Sequence, residues 1–148
     1  MSEPRATLSQ INLVVQDMER TLDFYRRLGL TIKDAVEWPP GSGARHTSVL
    51  MANGFGLEFD NLAGARIWNP GLDQPQGRGS ASVLGFALPS STAVDELHAE
   101  LTGVGYRSRL APHDAFWGAR YAIVLDPDLN QVGLMGPIDP KRRFTPTV

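Results

Sequence analysis

Ile11 to Val15 is a short run rich in β-branched residues, the composition of a strand. Met18, Leu22, Tyr25 and Leu28 follow at close to a helical period. Asp17 stands where a carboxylate can accept the free N–H groups of a first helical turn, and Gly29 can end the helix in a left-handed conformation. Residues 10–32 thus predict a strand, a helix and a second strand starting near Leu30. Arg45 to Met51 and Leu57 to Phe59 are two further apolar runs joined through Asn53–Gly54, a strong hairpin signal.

The same order returns downstream. Leu84 to Leu88 predicts a strand, Ser91 or Thr92 a helix cap, and Val94, Leu97 and Leu101 an apolar stripe ended by Gly103 and Gly105. Arg120 to Leu125 then lead through Asp126–Asn130 into Val132 to Met135. Ile11 and Leu84 stand 73 positions apart, as do Leu28 and Leu101, while Arg45 and Arg120 stand 75 apart. The spacing predicts a duplicated βαβββ module, over about 8–62 and 80–138, within a single domain spanning 1–148. Between the modules, residues 61–82 read as loop, broken by Asn69–Pro70–Gly71, Pro75, Gly77 and Gly79. The loop Trp38–Pro39–Pro40–Gly41 separates the second and third strands, and the tail from Pro137 reads as irregular.

Composition narrows the function classes. The 148 residues are 42% hydrophobic and 20% charged, ordinary for one globular domain. The net charge of −2 is scattered, and the runs Arg26–Arg27 and Lys141–Arg142–Arg143 make no broad basic face, so nucleic acid is not an expected partner. There is no cysteine, which excludes disulfides, thiolate metal sites and a cysteine nucleophile. Met1 to Thr7 is polar and lacks the apolar stretch of a signal peptide, and no segment approaches the roughly 20 apolar residues of a membrane span. The expected setting is cytoplasmic, away from any membrane.

The segment Gln10 to Asp17, followed by Leu22, Phe24–Tyr25 and Leu28–Gly29–Leu30, resembles the opening module of the glyoxalase/bleomycin-resistance (vicinal oxygen chelate) superfamily. Asp126–Pro127–Asp128–Leu129–Asn130 before a final strand resembles its closing turn, and the likeness runs from about residue 7 to 138. It implies an α+β fold in which two βαβββ modules form an open, cleft-bearing mixed sheet, and it implies a homodimer. In metal-dependent members it further implies four ligands, one on the first and one on the last strand of each module. These positions are Gln10, Glu58, Val83 and Gly133. The first two carry ligating atoms and the last two do not, whereas a catalytic cation normally takes about three protein ligands. The expectation is a site with no resident metal; a divalent metal would need His46 or His113 to complete it.

Strand alternation turns Gln10, Asn12, Glu58 and Asp60 toward the cleft and Ile11, Leu13, Leu57 and Phe59 into the core. On the second module the cleft side is small and apolar: Val83, Gly85, Ala87, Gly133 and Met135. Trp38, Trp68, Phe116 and Trp117 fall outside the strands, a placement suited to stacking on a ligand. Pro112 to Tyr121 gathers His113, Phe116, Trp117 and Arg120, the last able to pair with an anionic ligand or with Glu58 or Asp60. In a turn of the Asp126–Asn130 kind glycine is common at position 129, so Leu129 is expected to be strained there. The expectation is a metal-independent protein holding a small aromatic or planar organic molecule. The alternatives are a metal-dependent lyase or isomerase of glyoxalase type, using Glu58 as ligand and base, and a non-catalytic interaction protein. Metal content separates the first two.

Overall fold

The computed structural model describes residues 8–74, 79 and 82–147. The chain divides into two compact units, Met1–Pro75 and Gln76–Val148. The first contains β1 (Gln10–Val15), α1 (Met18–Arg27), β2 (Val36–Glu37), β3 (Arg45–Leu50), β4 (Gly56–Asn61) and α2 (Leu62–Trp68). The second contains β5 (Val83–Ala87), α3 (Ser91–Gly103), β6 (Ser108–Asp114), β7 (Arg120–Leu125) and β8 (Gln131–Met135), with a 3₁₀ turn at Pro140–Arg142. Each unit has a four-stranded mixed sheet, ordered β1-β4-β3-β2 and β5-β8-β7-β6. In each, the first and last strands pair in parallel and the remaining pairs are antiparallel. The predicted duplication is therefore a duplication of topology.

In the first unit Asp17 caps α1 through the Arg20 N–H, and Gly29 follows the helix at φ 91°. Met18, Leu22 and Tyr25 bury the predicted stripe, and Tyr25 packs on Phe59 with ring centroids 5.3 Å apart. Leu13, Val15, Leu57 and Phe59 lie under the helix in the core, which leaves the other face of the sheet to polar side chains. Asn53–Gly54 makes the expected turn, with Gly54 at φ 87°.

Three expectations require correction. No strand starts near Leu30: the Arg26 guanidinium donates to the Ile32 carbonyl and to Asp34, and pairing begins only at Val36. The predicted loop after residue 61 opens instead with α2, capped by Asn61, whose Oδ1 accepts from the Gly64 N–H. Pro75 and Gly77 lie outside the described residues. The cap of α3 is Ser90, which accepts from Ala93, and neither Ser91 nor Thr92. His113 lies on β6, which runs from Ser108 to Asp114 and shifts register twice against β7.

Candidate ligand-binding site

The exposed face of the first sheet is built by register. β1 lies beside β4 with Asn12 opposite Glu58, and β4 lies beside β3 with Asp60 opposite His46. Alternation then points Gln10, Asn12, His46, Glu58 and Asp60 to one face. They form a continuous polar chain. Gln10 Nε2 donates to Asn12 Oδ1 at 3.0 Å, and Asn12 Nδ2 donates to Asp60 Oδ2 at 3.4 Å. The other oxygen of Asp60 lies 2.9 Å from His46 Nδ1, and His46 Nε2 lies 3.2 Å from Glu58 Oε2. Asp60 is only 3% exposed, so its carboxylate anchors the imidazole from below, while His46 is about half exposed and Glu58 is partly buried.

A hollow of about 630 Å³ stands over this chain. Its apolar lining comes from Val36 and Trp38, at and after β2, and from Ile67 and Trp68 of α2. Trp38, carried on a cis Trp38–Pro39 bond, is 70% exposed, and Trp68 is 54% exposed. Asn61 sets the α2 wall. Its side-chain Oδ1 accepts from both Arg45 N and Gly64 N, and its Nδ2 donates to Gly43 O. A side chain at Gly64 would meet the Arg45 carbonyl at 2.8 Å, so glycine there lets the helix seat closely on the strand. Arg45 also lines the hollow, but its guanidinium is held by Glu19 at 2.6 Å and by the Ala35 carbonyl.

Seven of the eleven sequence-predicted site residues thus line one hollow: Gln10, Asn12, Trp38, His46, Glu58, Asp60 and Trp68. The other four lie in the second unit. There His113, Trp117 and Tyr121 are in edge-to-face contact, with Trp117 5.1 Å from both Phe116 and Tyr121. Trp117 Nε1 is buried with no hydrogen-bond partner among the described residues. Arg120 is paired with Asp95 at 2.8 Å and Asp114 at 3.3 Å rather than with Glu58 or Asp60, and these hydrogen bonds raise its pKa. Val36, Ala44, Arg45, Gly64 and Ile67 also line the hollow and are not among the residues expected from the sequence; Ile67 lies inside α2, which strand and loop signals do not reveal.

Tyr121 bears directly on the metal question. It occupies on β7 the place that His46 occupies on β3, and its hydroxyl lies 2.7 Å from where a side chain on Gly133 would begin. The second-module ligand position is therefore bare at Val83 and closed over at Gly133. In the first unit His46 turns both ring nitrogens onto carboxylates. Among the described residues no three histidine, aspartate or glutamate side chains are grouped to hold a metal ion. The residues present do not fit the four-ligand centre that the fold allows.

Residues 7–134 match the model of the Glyoxalase/Bleomycin resistance protein/Dioxygenase superfamily, and the chain belongs to that superfamily. Comparison with curated proteins finds no match. Among solved structures, a glyoxalase-related enzyme from Fulvimarina pelagi superposes with a TM-score of 0.70 at 20% identity, covering 88% of each chain. The fosfomycin resistance protein FosX from Mesorhizobium loti superposes at 0.66 and 15% identity, over 92% of this chain and 95% of that one. A glyoxalase/bleomycin resistance protein/dioxygenase from Nocardioides gives 0.65 at 21%, over 93% and 87%. At these identities the likeness is one of fold. No helix among the described residues is long and apolar enough to cross a membrane.

Proposed function

We propose that the chain is a small-molecule-binding protein that works without a resident metal and holds an aromatic or planar organic ligand in the hollow of its first unit. The observation that carries this reading is the pair of exposed tryptophans, Trp38 and Trp68, at the walls of a cavity floored by polar groups. Apolar walls around a few placed polar atoms are the usual make-up of an organic-ligand site, and 630 Å³ is in the usual size range. Indole faces left in water offer stacking area that folding has not used. The name of FosX, given for fosfomycin resistance, is in keeping with a small-molecule role on this fold.

Two measurements test the reading. Elemental analysis follows incubation of untagged protein with Zn²⁺, Ni²⁺, Mn²⁺ and Fe²⁺ and gel filtration; the expected outcome is no stoichiometric retention. Retention that disappears in Glu58→Ala would overturn metal independence and direct the search to lyase and isomerase chemistry. Tryptophan fluorescence is then titrated with a panel of aromatic metabolites and antibiotics. Saturable quenching that weakens in Trp38→Ala and Trp68→Ala is expected; a flat response across the panel would count against a ligand site. We also propose a homodimer, for which light scattering should give twice the chain mass.

A further inference from the structure

We infer that the ligand of this hollow is a planar organic cation carrying N–H donors, of the amidinium or amino-heteroaryl class. This rests on the ligand-site reading above and assigns the ligand's charge. Most polar atoms of the floor are already engaged. Asp60 uses one carboxylate oxygen toward His46 and the other toward Asn12. The amide of Gln10 donates to Asn12. The imidazole of His46 spans Asp60 and Glu58. Arg45, the cation in the lining, is held by Glu19 and the Ala35 carbonyl.

Acceptors remain. Glu58 Oε2 faces His46, while Oε1 leans along the floor, 3.6 Å from where a side chain on Gly56 would begin, with no partner among the described residues. Gln10, whose side chain also carries an acceptor oxygen, stands on the neighbouring strand two positions before Asn12, the residue opposite Glu58. A ligand that supplies donors completes this floor, and a ligand that supplies an anion meets an uncompensated carboxylate. The walls point the same way. Indole faces attract a cation lying over them, most strongly for tryptophan. A flat, delocalised cation satisfies both surfaces at once, pairing its N–H groups with Glu58 and laying its plane against Trp38 or Trp68.

Three isosteric probes separate this inference from the reading beneath it: benzamidine, a cation; benzamide, neutral; and benzoate, an anion. Each is titrated into ¹⁵N-labelled protein, with the three indole N–H signals as reporters. Benzamidine is expected to shift the Trp38 and Trp68 signals saturably, on the order of tenfold more tightly than benzamide. Trp117, in the second unit, serves as the internal control. Benzoate should bind least. Glu58→Gln keeps the shape of the side chain and should bring benzamidine down to the affinity of benzamide, with the indole shifts of the free protein retained as proof of folding. Benzamide or benzoate binding as tightly as benzamidine would overturn the cation assignment and leave an organic-ligand site standing. No shift with any of the three would overturn both.

Discussion

Asp126 concentrates the clearest residue-scale energetics in the chain. Its carboxylate, 2% exposed, accepts from Asp128 N, Asn130 N and Asn130 Nδ2, and so closes the turn into β8. Asp126→Ala strands those donors and should cost about 3 kcal/mol, read as a lower denaturation midpoint. The turn forces Leu129 to φ 65°, the strained backbone that the sequence anticipated at a position suited to glycine. Leu129→Gly relieves that strain while loosening the unfolded chain, for a net gain below about 1 kcal/mol. Gly118, in the β6–β7 turn, has φ 93°, and a side chain there would begin 2.2 Å from the Asp139 carbonyl. Gly118→Ala should therefore cost more than about 2 kcal/mol by the same measurement. The Asp126–Asn130 turn was legible because turn chemistry is local, whereas the tight approach at Gly118 depends on the distant Asp139 carbonyl. The His46–Asp60 contact was not legible: it depends on β3 and β4 pairing in one particular register.

At the scale of elements, α2 escaped the sequence reading because it is short and followed closely by Pro70 and Gly71, so the breakers outweighed its signal. The signal was the Asn61 cap before Leu62, Ala65 and Ile67. Asn61→Ala removes three hydrogen bonds that fix the helix to β3 and to the Gly43 loop. It should cost about 1–2 kcal/mol and weaken ligand quenching, because Trp68 loses its anchor. On α3, His98 Nε2 lies 2.7 Å from Ser108 Oγ of β6, and partial burial lowers the histidine pKa against the opposing pull of Asp95. The folded state therefore holds this proton less tightly than the unfolded chain does. That contribution to stability is present above the ordinary histidine pKa of about 6.5 and is lost as pH falls through the folded value. Midpoints measured from pH 7.5 to 5.5 should fall more steeply for the natural chain than for His98→Gln.

The whole molecule repeats one topology and differentiates its chemistry. The constant spacing of 73 and then 75 positions was enough to foretell the shared strand order, because apolar alternation and helix stripes survive duplication. The chemistry of the exposed sheet faces follows single side chains and diverges. Where β3 and β4 carry His46 and Glu58, β7 and β8 carry Tyr121 and Gly133, and the phenol takes the space that the missing carboxylate vacates. Burial raises the Tyr121 pKa, so its hydroxyl stays a neutral donor through the physiological range. If the phenol and the glycine are a matched pair, their substitutions must be coupled. Gly133→Ala places a methyl 2.7 Å from the Tyr121 hydroxyl and 3.2 Å from both its ring edge and Val83, and should cost about 2 kcal/mol. In a Tyr121→Ala background that cost should fall by about 1 kcal/mol or more, since the principal clash is gone. Equal costs in the two backgrounds, measured by denaturant titration, would mean that Gly133 is set by the backbone alone. Coupling would mean that the second half surrendered its carboxylate position to Tyr121, which packs against Trp117 at 5.1 Å and is thereby held over the sheet.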